Sequence, residues 1–352
     1  MAESPPPTKR PDRPTRSAAF VLEFERPIIA IEQKIDLLEA EARPGAAPSK
    51  ELVALRAELD AKLREVTGAL TPIQTVQIAR HKDRPLTSDY VAACFEDFVE
   101  LHGDREFGND RAILTGLARI GTHRVMVVGH RKGKDLKEKM ACNYGCAHPE
   151  GYRKAMRKMR FAEKFGLPIV TFINTPGAYP GIGAEERGQA WAIAEAIRDM
   201  SGLRVPVVCL VIGEGGSGGA LGIGVGDRVM MLEHAYYSVI SPEGCAAILW
   251  GDAKRAPDAA RALKLTAKDL LGLGIVDEVV PEPLGGAHRD HATMFATVKA
   301  KIVGHLDVLS KVAMPELLDA RYGKFRKMGA LFAPADDAMQ KSAAEARGTA
   351  SS

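Results

Sequence analysis

Between Phe20 and Arg43 the apolar residues Ile28, Ile31, Ile35 and Leu38 recur at helical spacing. Pro44-Gly45-Ala46-Ala47-Pro48 interrupts that pattern, and Ser49 is suited to cap a second helix. Leu52, Leu55, Leu59, Leu63 and Val66 then continue along one face, which predicts a helical hairpin with a single apolar seam. From about Tyr90 to Glu282 the pattern changes to short β-branched runs alternating with helical ones. Strands are predicted over 112–120, 124–130, 168–174, 205–213, 227–232 and 236–240. Helices are predicted over 151–165, 185–200, 220–225, 242–249 and 257–265, making this region an α/β domain. The Pro-rich, charged start and the Ala- and Ser-rich end predict a disordered extension over 1–19 and a disordered tail over 331–352. Between them lie a helical region, 20–80, and the main domain, 81–330.

Two of the predicted strands end alike. The run over 205–212 leads into Gly213-Glu214-Gly215-Gly216-Ser217-Gly218-Gly219-Ala220. The run over 168–173 leads through Asn174 into Thr175-Pro176-Gly177-Ala178-Tyr179-Pro180-Gly181. Glycine turns at the carboxyl ends of strands lie where α/β folds place their ligands, and they aim backbone N–H groups at negative charge.

Three chemistries fit the downstream turn. Gly213-x-Gly215-x-x-Gly218 matches a dinucleotide fingerprint, with Glu233 at the distance of a ribose contact. Gly215-x-Ser217-x-Gly219 matches the nucleophile elbow of serine hydrolases, with Asp252 or Asp277 and His288 or His291 to complete a triad. The third is an oxyanion hole of backbone amides, in which glycine serves because no side chain may intrude. The second glycine turn upstream favours the third.

Composition narrows the setting. Hydrophobic residues make up 46% of the 352 residues and charged residues 26%, with a formal net charge of +3, so the overall balance does not argue for nucleic acid or membrane. The N-terminus has no apolar segment of a secretory signal, and Glu3, Asp12 and five prolines argue against a transit peptide. Five cysteines make no disulfide framework, so reduced thiols in the cytoplasm are expected. Cys142, Cys146 and His148 fall short of the four ligands a structural zinc site needs, and no metal is expected in this chain.

The two turns, taken with other segments, resemble the carboxyltransferase alpha subunit of bacterial-type, multisubunit acetyl-CoA carboxylase. The resemblance rests on the runs 174–189, 213–220, 238–246 and 281–289, on Ala79-Arg80-His81, on 149–155 and on the Arg321-Tyr322 region. It extends in collinear order over about residues 20 to 329. It implies a crotonase-like fold (a ββα superhelix of the ClpP/crotonase superfamily) carrying the N-terminal helical hairpin. It implies transfer of a carboxyl group from carboxybiotin, borne on a biotin carboxyl carrier protein, to acetyl-CoA, giving malonyl-CoA for fatty-acid biosynthesis. It also implies a zinc-bearing beta subunit in an alpha2–beta2 assembly, with ATP consumed by the biotin carboxylase component.

On that reading both intermediates, the thioester enolate and the biotin ureido anion, are oxyanions that need N–H donors in a dry site. Gly215 and Gly216 are the first candidates for the biotin side, with Gly177 and Ala178 as wall or further donors. Gly213, Gly218, Gly219 and Tyr179 would line the same site. Arg131, Lys132 and Lys134, with Arg153, Lys154, Arg157 and Lys158 on the next helix, would meet coenzyme A phosphates or an acidic carrier domain. A hydratase, isomerase or decarboxylase of the same fold, acting without a beta partner, would instead need a poised carboxylate; Glu214 and Glu185 are the candidates. A non-catalytic nucleotide- or coenzyme-A-binding module is the remaining class.

Overall fold

The structure is a computed structural model that describes residues 21–42 and 47–329. The expected disorder over 1–19 and 331–352, and most of the break after the first helix, lie outside the described residues. The N-terminal part is helical: α1 (Arg26–Glu41), α2 (Lys50–Gly68), α3 (Pro72–Ala79) and α4 (Thr87–Cys94). The strands and helices β1 (Glu96–Glu100), β2 (Ile113–Ile120), β3 (His123–His130), α5 (Leu136–Ala141), α6 (Pro149–Lys164) and β4 (Ile169–Thr175) follow. Next come α7 (Ile182–Glu186), α8 (Gln189–Gly202), β5 (Val207–Gly216), α9 (Ser217–Leu221), β6 (Arg228–Leu232) and β7 (Tyr236–Ser238). The chain continues with α10 (Pro242–Trp250), α11 (Ala256–Ala262), α12 (Ala267–Gly272), β8 (Glu278–Val280), α13 (His291–Leu309) and α14 (Met314–Lys327).

The helical hairpin forms as its stripe predicts. Ile28, Ile31 and Ile35 of α1 bury against Leu52, Leu59 and Leu63 of α2 in a small core of their own. Ser49 caps α2 by accepting a hydrogen bond from the Leu52 N–H at 3.1 Å.

The eight strands form one mixed sheet in the order β1-β2-β3-β4-β5-β6-β8, with β7 pairing β5 off that path. Antiparallel pairing joins β1, β2 and β3, and the remaining pairs are parallel. β4 and β5 are buried along their whole length, which is why both read as near-continuous apolar runs. Because β3, β4 and β5 run parallel, the segments that follow them gather at one end of the sheet.

One irregularity shapes that end. β5 pairs β6 through Val208–Val211, then changes neighbour and pairs β7 through Glu214–Gly216. On its other side Ile173 faces Val211 but Thr175 faces Gly215, so Ile212, Gly213 and Glu214 oppose Asn174 alone. This bulge turns the end of β5 and re-aims its side chains.

The predicted strands all form, with ends shifted by a few residues. Three differences matter. β5 does not stop at Gly213 but runs to Gly216, because β7 offers a second partner there. The helix expected over 185–200 is two, split at Gly188, whose φ of 78° no helix accepts. β1, β8 and the helices α4, α5 and α12 to α14 lay outside the pattern read from sequence. The two strands are short, and both are only partly buried.

Candidate active site

The two glycine turns meet. A Cβ on Gly216 would collide with the Pro176 carbonyl, and one on Gly219 would lie 2.5 Å from the Ala178 nitrogen. Glycine is therefore required at both positions by backbone approaching backbone. Gly177 differs: its φ of 155° is glycine-like, but a Cβ there would meet open space. Its N–H donates to Thr175 Oγ1 at 3.0 Å, and that hydroxyl donates to the Gly177 carbonyl at 2.7 Å. The Gly177 amide is thus committed within its own turn, while the Ala178 nitrogen lies close against Gly219 of α9.

Gly215 and Gly216 lie in the last pairs of β5, opposite Tyr237 and Ser238. A Cβ on Gly215 would press the Tyr237 ring at 2.8 Å, and one on Gly213 would press Asn174 Oδ1 at 2.8 Å. Gly218 has room, its nearest neighbour being Ile193 at 3.6 Å. Between strand and α9 sits Ser217, exposed and with φ 55°. Tyr179 is fixed by a stack on His148, with ring centroids 4.1 Å apart, and its carbonyl accepts from Gln189 Nε2 at 2.9 Å.

Glu214 stands behind the turns. It is buried, and its Oε1 accepts from Arg80 Nε at 2.6 Å and from the Tyr236 hydroxyl at 2.8 Å. Its Oε2 accepts from Lys132, which follows β3, and its own N–H donates to Asn174 Oδ1 at 3.1 Å. Arg80 also reaches Glu243 at 2.7 Å. Burial raises the Glu214 pKa, but Lys132 and Arg80 lower it further, to about 2. A carboxylate so held is a poor proton acceptor, and Glu185, the other candidate, is exposed on α7. The partner-free hydratase reading loses both its carboxylates.

The basic run is less free than its sequence implies. Arg131 pairs with Glu100 at 3.0 Å, Lys132 with Glu214, and Lys134 with Asp89 at 2.5 Å. Lys132, Lys134 and Lys139 line a cavity of about 570 Å³, together with Arg80, Lys82 and Asn174. On α6, Lys154 and Lys158 are buried, Lys154 donating to Asn109 Oδ1 at 2.9 Å. These two are therefore structural, where a cationic face had been expected.

The other sequence readings find their residues engaged elsewhere. Glu233 accepts from the Glu282 N–H at 3.1 Å, joining the ends of β6 and β8, which is no ribose contact. Of the candidate triad partners, Asp277 binds Lys324 and the Val229 N–H, and Asp252 caps a short helical turn. His291 faces the Asp83 carbonyl, and His288 stacks on His81 with ring centroids 4.1 Å apart. Cys142, Cys146 and His148 do not converge; among the described residues the grouping of possible metal ligands is Glu25, His81 and His288. There His81 Nδ1 accepts from the Asp83 N–H, so its Nε2 carries the proton toward Glu25. Arg289 adds a positive charge 3.5 Å from the same carboxylate. The cluster is an anchor that ties the N-terminal segment to the main domain. Sequence reading missed Arg80, Asn174 and Tyr236 as partners of Glu214; Arg80 and Asn174 were marked only by membership in the resembling segments, and Tyr236 only by its place in a predicted strand.

Comparison with known proteins identifies the family. The family described as acetyl co-enzyme A carboxylase carboxyltransferase-like matches residues 21–329. The acetyl-coenzyme A carboxylase carboxyl transferase subunit alpha of Rhodopirellula baltica is 57% identical over 308 residues, covering 88% of this chain and 97% of the relative. The proteins of that name from Geobacter metallireducens and Thermus thermophilus are 55% and 53% identical, each over 89% of this chain and 98% and 99% of theirs. Among solved structures, transcarboxylase 12S superposes with TM-score 0.53 at 20% identity, over 64% of this chain and 41% of that one. A Pseudomonas malonate decarboxylase hetero-tetramer superposes with TM-score 0.52 at 15% identity, over 69% and 93%. These two likenesses concern the fold alone. The chain is an α/β protein of the crotonase-like kind and belongs to the acetyl co-enzyme A carboxylase carboxyltransferase-like family.

Proposed function

We propose that this chain is the alpha half of a carboxyltransferase that, with a beta subunit, moves the carboxyl group of carboxybiotin to acetyl-CoA and so forms malonyl-CoA. One observation carries the reading: two glycine turns at the ends of β4 and β5 touch backbone to backbone, with Gly219 against the Ala178 amide. Such a cradle suits an oxyanion, and the exposed Ser217 beside it has none of the candidate acid and histidine partners, which are engaged elsewhere.

The reaction breaks the N–C bond of carboxybiotin, whose electron pair stays on the ureido group. The biotin anion takes the methyl proton of acetyl-CoA, and the resulting enolate forms the new C–C bond to the released carboxyl carbon. The chain's part is to hold the negative charge on the ureido oxygen. Ala178 and the Gly215–Gly219 turn supply the donors, Gly213 and Tyr179 shape the wall, and Gly177 sets the turn that presents Ala178. Loss of one such donor costs roughly 3–4 kcal/mol of barrier in other enzymes. No general base is required of the protein, which agrees with a Glu214 carboxylate already bound to two cations.

Carboxybiotin would arrive on a biotin carboxyl carrier protein, and ATP would be spent by the biotin carboxylase component. The beta subunit, the zinc-bearing partner of an alpha2–beta2 assembly, would cover the apolar residues left exposed beside the site. Ile182, 80% exposed, follows the first turn, and Val239, 75% exposed, follows β7. Coenzyme A phosphates would meet Lys134 and Lys139 at the cavity mouth. No helix among the described residues is long and apolar enough to cross a membrane. On this reading the chain would work in the cytoplasm, beside the carrier protein and the biotin carboxylase component.

The test is a forward assay. Carbon-labelled carboxybiotin carrier protein, acetyl-CoA and the reconstituted alpha–beta complex should give labelled malonyl-CoA. Label that stays on the carrier with a folded complex would overturn the proposal.

A further inference from the structure

Glu214 is the most heavily fastened side chain near the turns, yet the reaction gives it no task. Its location suggests one. It sits in the β5 bulge, where three residues oppose Asn174 alone, and immediately precedes Gly215. Its carboxylate is held from three directions: from the end of α3 by Arg80, from the segment after β3 by Lys132, and from β7 by Tyr236. Its backbone N–H is held from the fourth by Asn174, the residue that leads into Thr175-Pro176-Gly177. The same Asn174 Oδ1 lies 2.8 Å from where a Gly213 side chain would begin. β7, which carries Tyr236, pairs Gly215 and Gly216 directly.

We infer that Glu214 is a positioning residue: with Lys132, Arg80 and Asn174 it locks the β5 bulge and so fixes the distance between the two glycine turns. The inference rests on the carboxyltransferase reading and deepens it. It assigns to Lys132 and Arg80 a role through Glu214 instead of contact with substrate. The physical argument is one of reach. The turns meet through backbone atoms, so nothing within them can adjust their spacing, and a displacement of about 1 Å at such a site can cost 100-fold in rate. A buried, multiply bonded ion group in a bulge resists that displacement.

The experiment compares Glu214→Gln, Lys132→Gln and Lys132→Arg with the wild-type chain, each purified as the complex with its beta subunit. Activity is read as biotin-dependent release of acetyl-CoA from malonyl-CoA, and thermal unfolding is followed in parallel. Positioning predicts that Glu214→Gln and Lys132→Gln lower kcat at least about tenfold, with KM for malonyl-CoA within about twofold of wild type. It predicts that Lys132→Arg, which keeps the charge, restores most of kcat. Folded variants with wild-type kcat, or a loss in KM alone, would overturn it. So would a Lys132→Arg complex no better than Lys132→Gln. If the wild-type complex itself shows no biotin-dependent activity, the functional reading fails first, and the two failures are thereby told apart.

Discussion

Arg321 and Asp227 form a bidentate pair sealed from solvent: Nε and Nη2 of the arginine reach the two carboxylate oxygens at 2.8 and 2.7 Å. The remaining guanidinium N–H groups donate to the carbonyls of Met200, Leu203 and Val205. The pair fastens α14 to the loop between α8 and β5 and to the start of β6, so the last helix holds the strand that carries the glycine turn. Removing one partner of a buried pair costs about 3–5 kcal/mol. Arg321→Met should therefore lower Tm by about 4–8 °C in a chain of this size, read by calorimetry. Arg321→Lys should recover only part, since an ammonium cannot reproduce the planar fork.

Gly219→Ala places a methyl group 2.5 Å from the Ala178 nitrogen. The turns must part, and kcat of the complex should fall about 100-fold while the fold persists. Gly202→Ala at the end of α8, where nothing lies within 4 Å, should leave kcat unchanged. Steady-state kinetics on the two variants separate a local collision from a general intolerance of glycine replacement.

Acid should weaken the fold in two stages. Burial lowers the His130 pKa from 6.5 to about 3, so the unfolded chain takes up a proton near pH 6.5 that the folded chain refuses. Stability is lost from about pH 6.5 downward on that account. Glu214 and Glu282, despite burial, are held at about 2 chiefly by Lys132 and Arg80 and by Arg84. Their contribution is complete above about pH 4.5 and disappears as pH falls toward 2. Urea unfolding at a series of pH values should show a shallow decline that steepens below 4.5. Burial also lowers the His81 pKa, to about 4, and that of His288, so His130→Phe should reduce the shallow slope without abolishing it.

Lys134 and Lys139 line the cavity beside the site, and Lys134 is 62% exposed. If they meet coenzyme A phosphates, a double change to Glu should raise KM for malonyl-CoA several-fold with kcat nearly intact. Added salt should mimic the change. An unaltered KM would return these lysines to a solvated face.

Much of this arrangement was legible in the sequence. The hairpin of α1 and α2 follows from its apolar stripe, and β4 and β5 from their buried runs. The paired glycine turns follow from their place after those strands. What stayed hidden depends on the three-dimensional path of β5. Its extension to Gly216 needs β7, whose strand is readable in the sequence but whose pairing with the end of β5 is not recorded in any local pattern. The grip on Glu214 needs Arg80 from 134 residues upstream and Lys132 from 82, separations that no local pattern records. For the same reason Lys154 and Lys158 looked like surface charge: periodicity places them on α6 but does not say that the packed face carries them inward.

The most direct measurement is a reverse assay with malonyl-CoA and a free biotin derivative, scoring acetyl-CoA released by this chain alone, by the beta subunit alone and by the two together. Release that requires both chains and depends on biotin is the predicted result. Equal release without biotin, or none from a folded and verified complex, would contradict the account.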